Sequence, residues 1–168
     1  VSFSFEAHEP TSIRFRFRCT DWPEKVVEGA RFQVDIEKDS APRVQVLSPA
    51  QDLIVSPKEK LPLILDVEDD YGVDDVELYY QISGGPLRIM EWKKYSEQES
   101  VSRKDVFENT LFLERLGLKG GDNVKYFFVA KDNNLLTGPG ESRSAVFSLA
   151  VESYEVEHEK IESKLNKF

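Results

Sequence analysis

Ten residues, Asn123 to Asp132, read N-V-K-Y-F-F-V-A-K-D and narrow the possible folds more than any other stretch. Val124, Tyr126, Phe128 and Ala130 alternate with Lys125, Phe127, Val129 and Lys131. A period of two puts successive side chains on opposite faces of a β-strand. Gly120-Gly121-Asp122 supplies a turn before it, and a loop from Asp132-Asn133-Asn134 to Gly138-Pro139-Gly140 follows. The pattern predicts a central strand of a β-sandwich, with Ser144 to Val151 as its hairpin partner.

A second stretch has the same design. Ser12 to Asp21 sets Ile13, Phe15, Phe17 and Cys19 against Arg14, Arg16 and Arg18. Laid on the first strand, Phe15 falls on Tyr126, Phe17 on Phe128 and Asp21 on Asp132, an offset of 111 residues. The strands that follow also match. Ala30, Phe32, Val34 and Ile36 fall on Ala145, Phe147, Leu149 and Val151 at an offset of 115. A repeat of this length suits an immunoglobulin-like module. Residues 1–38 are then expected to be the last strands of a first module, with Val1 to Glu6 as the strand before the hairpin. Val1 opens in what reads as mid-strand, so the chain is expected to be a segment of a longer one.

Residues 39–42 read as a linker, because charged residues ending in Pro42 stiffen a short connection. A complete sandwich is expected over 43–152. Its strands are read at Arg43–Leu47, Leu61–Val67, Asp75–Ile82, Leu87–Tyr95 and Val106–Leu113, followed by the hairpin already described. Over 153–168, Ile161, Leu165 and Phe168 sit at helical spacing, which predicts the start of a helix or coiled-coil stalk.

Composition limits the function classes. The 168 residues are 40% hydrophobic and 11% aromatic, enough for a packed core. With 31 acidic and 22 basic residues the formal charge is −9, which argues against a nucleic-acid partner. Cys19 is the sole cysteine, so no intrachain disulfide can form. No run approaches the ~20 apolar residues of a membrane span, so membrane attachment is expected only through regions outside this chain.

The run Leu116-x-Leu118-x-x-Gly121-Asp122-x-Val124-x-Tyr126-x-x-x-Ala130-x-Asp132-Asn133 resembles the penultimate strand of immunoglobulin-like and fibronectin type III-like modules. That resemblance implies a tyrosine corner at Tyr126, its hydroxyl folding back on the preceding turn. Asp69-Asp70-x-Gly72-Val73-x-x-Val76-x-Leu78 resembles the turn from second to third strand in such modules of bacterial surface proteins. The order of modules, linker and helix is similar to large bacterial envelope proteins with tandem immunoglobulin-like domains ahead of coiled coils. It implies an address at the periplasmic or extracellular face.

No catalytic constellation emerges, and no enzyme activity is expected. His8 and His158 lie in terminal segments, and no metalloprotease, nucleotide-loop or nucleophile-elbow motif occurs. One group of residues has a second reading. The loops after the second and penultimate strands of such a sandwich share one end, which also meets the linker. They bring Asp69 and Asp70, Asp132 and Asn133, and Asp39 toward one place. Calcium takes six to eight oxygens from carboxylates, amides and carbonyls, so these five are candidate ligands. Asp35-x-Glu37-x-Asp39-x-Ala41-Pro42 loosely resembles a cadherin junction, although the paired Asn-Asp of that family is missing. Turn chemistry alone explains the same residue types and is the favoured reading of the sequence; no other cofactor is expected.

The expectation is therefore an all-β, non-enzymatic, adhesion-type segment of an envelope protein that spaces domains or contacts protein. Its partner is another protein, or a second copy through residues 1–38. A carbohydrate- or ligand-binding module is the alternative, with Tyr79, Tyr80, Trp92 and Tyr95 as an aromatic platform. Alternation should turn half of them inward, however, and core packing is the favoured reading of these four. An accessory domain of an envelope enzyme is another.

Overall fold

Alternation of apolar and polar residues becomes strand along most of this chain, and strands need partners for their backbone groups and a layer for their apolar face. The computed structural model describes residues 4–18, 20–95, 103–134 and 138–153. The chain divides into two units, Val1–Lys38 and Asp39–Phe168.

The first unit is a hairpin of β1 (Thr11–Arg18) and β2 (Val26–Val34). Ile13 lies opposite Phe32 and Phe17 opposite Val27. Between them Phe15 faces two residues, Gly29 and Ala30, so the returning strand carries a one-residue bulge. Phe15 meets the Phe32 ring edge-on at 5.8 Å. Ile13 and Phe15 are half-buried while Arg14 and Arg16 are exposed, so the alternation survives. Nevertheless no side chain of either strand is buried, and Phe17 stays 62% and Phe32 53% exposed. The strand expected over Val1–Glu6 is not formed in its described part, since residues 4–10 make no ladder. Pro10 has no amide hydrogen to give, and β1 pairs with β2 alone. The return strand starts earlier than the expected Ala30, at Val26.

The second unit is a two-layer sandwich. One sheet is β3 (Arg43–Ser48), β5 (Lys60–Glu68) and β8 (Lys104–Phe112) in the order β3-β5-β8. The other holds β4 (Leu53–Val55), β6 (Val73–Ile82), β7 (Arg88–Lys94), β9 (Asn123–Asp132) and β11 (Phe147–Val151), in the order β4-β11-β9-β6-β7. Short β10 (Glu141–Arg143) also pairs with β9. Consecutive strands cross repeatedly between the sheets, which is immunoglobulin-like connectivity. The fold is all-β among the described residues, apart from one 3-10 turn at Leu113–Leu116. The helix expected over 153–168 falls, except for Ser153, outside them.

Facing residues fill the core as the pleat requires. Leu61, Leu63, Leu65 and Val67 of β5 meet Val76, Leu78 and Tyr80 of β6 and Val124, Tyr126, Phe128 and Ala130 of β9. Trp92 packs edge-on against Phe128 at 5.2 Å. Each fully buried side chain of this size contributes about 1.5–3 kcal/mol, so β9 alone accounts for a large share of marginal stability. The return from β9 carries a bulge too: Phe127 and Phe128 face Ser144, Ala145 and Val146. The Phe128 amide donates to Ser144 Oγ at 3.0 Å, and the Ser144 amide to the Phe128 carbonyl at 2.9 Å. Both short strands, β4 and β10, escape a sequence reading because three residues carry no period.

Tyr126 does not make the bond that the resemblance implied. It is fully buried between the rings of Phe128 and Phe147, and its hydroxyl has no hydrogen-bond partner among the described residues. Burial first, and the charge of Asp52 second, push the phenol up to about 12. A buried, unpartnered hydroxyl costs about 1–3 kcal/mol. Tyr126→Phe is therefore expected to leave the urea midpoint unchanged or raise it, by up to about 1 kcal/mol of stability. A loss of that size would show that the hydroxyl has found a partner.

Candidate functional site

Strand ends place the acidic residues. β5 ends at Glu68 and β6 begins at Val73, leaving the four-residue turn Asp69-Asp70-Tyr71-Gly72. Asp69 Oδ2 accepts the amides of Tyr71 at 2.9 Å and Gly72 at 2.6 Å, while its own amide donates to the Arg103 carbonyl. Gly72 holds φ at 132°, a region that side chains other than glycine's rarely enter. This is an Asp-built turn in the ordinary sense. It leaves Asp69 only 6% exposed.

Asp132 closes β9 in the same manner. Its Oδ1 accepts the amides of Asn134 at 3.0 Å and Gly140 at 2.9 Å, and it is 3% exposed. Asn133 gives its amide to the Gly72 carbonyl, joining this loop to the Asp69 turn. Gly140 is required by contact: a Cβ there would stand 2.6 Å from Asp132 Oδ2 and 3.1 Å from Ala41 Cα. The Ser40 amide donates to Asp70 Oδ2 at 3.3 Å. Linker, β5–β6 turn and β9–β10 loop are thus laced together by backbone groups.

Inside that lacing, one carboxylate oxygen each from Asp39, Asp69 and Asp70 lies within 4.8 Å of the other two. Oδ1 of each is enclosed and receives no hydrogen bond from the described residues. The Asp39 carboxyl is pushed above the usual range by burial, then by the Asp132 charge, a hydrogen bond with Asp70 and the charges of Asp70 and Asp69. Every one of those causes acts in the same direction. The described ion pairs at this end serve other acids: Arg43 and Lys104 with Asp66 and Glu68, and Lys94 with Asp74 and Asp75. None reaches Asp39, Asp69, Asp70 or Asp132. Asn133 is placed beside the group through its backbone. Gly140 and Ser40, which hold the arrangement closed, have no signal in the sequence beyond ordinary turn composition.

The aromatic group resolves differently. Tyr80, Trp92 and Tyr95 belong to the core, and half-buried Tyr79 stacks on Phe127 at 5.2 Å while donating to Glu77. Beside Tyr95, Lys93 of β7 pairs with Asp105 of β8 and lies 4.5 Å from the Tyr95 ring centre and 4.3 Å from that of Phe107. The Tyr95 hydroxyl also donates to Asp105 at 2.8 Å, and Asn109 Nδ2 to the Trp92 carbonyl. These contacts tie the two sheets along one edge.

The chain matches no protein-family model, and no curated protein matches it in sequence. Among solved structures it is similar to the fibronectin(III)-like modules of Clostridium thermocellum CbhA, at 13% identity and a TM-score of 0.38. The match covers 83% of this chain and 60% of that one, so this chain spans less than two thirds of that protein's length.

The Lys93–Asp105 edge generates a pH prediction. Burial alone would raise the Asp105 carboxyl, but the Lys93 and Tyr95 hydrogen bonds outweigh it and hold the group below its usual 3.8. A lowered folded-state value stabilises above the unfolded value and loses that effect as pH falls through the folded one. Asp105→Asn is expected to cost about 1 kcal/mol at pH 7. The gap from wild type should close as the solution is taken from about pH 4 to about pH 2. Urea denaturation at both extremes checks this, and a gap independent of pH contradicts it.

Proposed function

We propose that this chain is a non-enzymatic, adhesion-type segment of a larger bacterial envelope protein, an immunoglobulin-like spacer that makes protein–protein contact through the hairpin of residues 1–38. The observation that carries the reading is the exposure of that hairpin. β1 and β2 hold an apolar set, Ile13, Phe15, Phe17, Val27, Phe32 and Val34, with none of it buried. A two-stranded hairpin is marginal in water, and its bare face and open edges invite another protein layer.

What that layer is follows from the hairpin's likeness to the β9–β11 return. Both set an alternating apolar face against one that carries arginine or lysine, and in both the return leg has one residue more than the stretch it faces. Those shared features support reading it as the closing hairpin of a sandwich related to the second unit. Its natural cover is then the other strands of such a sandwich, and in their place a second copy of the same hairpin. The resemblance of Asp69–Leu78 to surface-protein turns supports the periplasmic or extracellular address.

Light scattering of residues 1–168 against a version beginning at Pro42 tests this, since the second unit keeps its whole core. The full chain should grow in mass with concentration while the shorter one stays monomeric. Two monomers at matched concentration would reject the hairpin as a contact surface.

A further inference from the structure

We propose that Asp39, Asp69 and Asp70 bind a hard divalent cation, Ca²⁺, which fastens the linker residues 39–42 to the β5–β6 turn. The inference goes beyond the protein-contact reading and is independent of it. Two observations carry it. The first is convergence: a carboxylate oxygen from each of the three lies within 4.8 Å of the others. Oxygens on opposite sides of a Ca²⁺ ion, each at about 2.4 Å, stand about 4.8 Å apart, so such a set can share one ion. The second is an unmet electrostatic demand. Asp69 is more than nine-tenths buried, yet its Oδ1, like that of Asp39 and Asp70, receives no hydrogen bond from the described residues.

Turn chemistry explains only half of each buried acid. Asp69 spends Oδ2 on the Tyr71 and Gly72 amides, and Asp132 spends Oδ1 on those of Asn134 and Gly140. A turn-forming residue could be Asn, or more weakly Ser, with no charge at all. What turn chemistry leaves unexplained is a third and a fourth negative charge brought in by Asp39 and Asp70, with no ion-paired lysine or arginine among the described residues. Like charges this close repel unless a proton or a cation stands between them. The all-oxygen donor set, without thiolate or imidazole, selects hard ions over zinc or copper. Calcium fits better than magnesium, which demands near-ideal octahedral geometry and sheds its water reluctantly. Asp132, its Oδ1 committed to the loop, adds negative charge near Asp39. Water would complete the six to eight ligands that calcium takes.

The test is thermal unfolding and calorimetric titration of the full chain, stripped with chelator and then given CaCl2 alone. With an affinity in the ~10⁻⁴–10⁻³ M range of extracellular calcium modules, about 10 mM CaCl2 should raise Tm by about 5 °C. Magnesium, and NaCl at matched ionic strength, should raise it far less. Asp69 builds the turn, so the variants are Asp39→Asn and Asp70→Asn, which spare the Asp69 caps. In chelator both should melt at or above the wild-type temperature, because repulsion is relieved. Both should bind Ca²⁺ at least about tenfold more weakly, the loss expected when one of three charged ligands is removed. An unchanged Tm with calcium, an equal shift with NaCl, or wild-type affinity in folded Asp39→Asn would each overturn the proposal.

Discussion

A β-sheet with one apolar face is stable only when a second layer covers that face, and everything in this chain depends on where that condition is met. β9 meets it fully. Val124, Tyr126, Phe128 and Ala130 are all completely buried, with β5 across the core and β6 and β11 alongside. The strand thereby fixes the register of its neighbours: Leu78 faces Phe128 and Tyr80 faces Tyr126, so β6 cannot slip without exposing its own core set. β1 has the same alternation and a matching bulge but no second layer within its unit. The contrast between two similar sequences is one of burial: alternation sets which face is apolar, and packing decides whether that face is buried.

The end of the sandwich follows from the same frame. β5 and β9, in opposite sheets, terminate at the same end of the sandwich, and the chain must turn at both places while satisfying free backbone amides. Asp69 and Asp132 do so with one carboxylate oxygen each, which draws both charges into a nearly dry site. Gly140 lets the linker come close, and Asp39 and Asp70 then arrive with their own charges. A purely structural need for tight turns has produced a concentration of negative charge with no ion-paired base among the described residues. At the opposite extreme, Glu77 is held low chiefly by its Lys131 hydrogen bond, which offsets the cost of burial. Glu77 on the sheet face is neutralised by Lys131, whereas Asp39, Asp69, Asp70 and Asp132 have no ion-paired base among the described residues.

Much of this was legible in the residues. The boundaries of β9 and the core positions of β5 and β6 follow from period two, because burial on one face imposes that period directly. Expecting some of Tyr79, Tyr80, Trp92 and Tyr95 to enter the core was sound for the same reason. Other features leave no periodic trace. β4 and β10 are three residues each, and β2 is displaced because Gly29 and the bulge interrupt its alternation. The tyrosine corner failed on a particular: the motif marks Tyr126, but its buried hydroxyl meets no acceptor among the described residues where a backbone one was implied. For the acid group, residue types pointed to the right end of the fold. Which oxygens are spent on amides, and which are left over, is a property of three-dimensional closure.

The claim that layering, and not strand pattern, governs stability is tested most directly by hydrogen exchange on the intact chain in dilute solution. Amides of β9 should exchange only through global unfolding of the second unit. Those of β1, equally regular in sequence, and of its partner β2 should exchange orders of magnitude faster. Equal protection of the two hairpins would contradict the account, since it would mean that β1 and β2 already lie under a stable second layer.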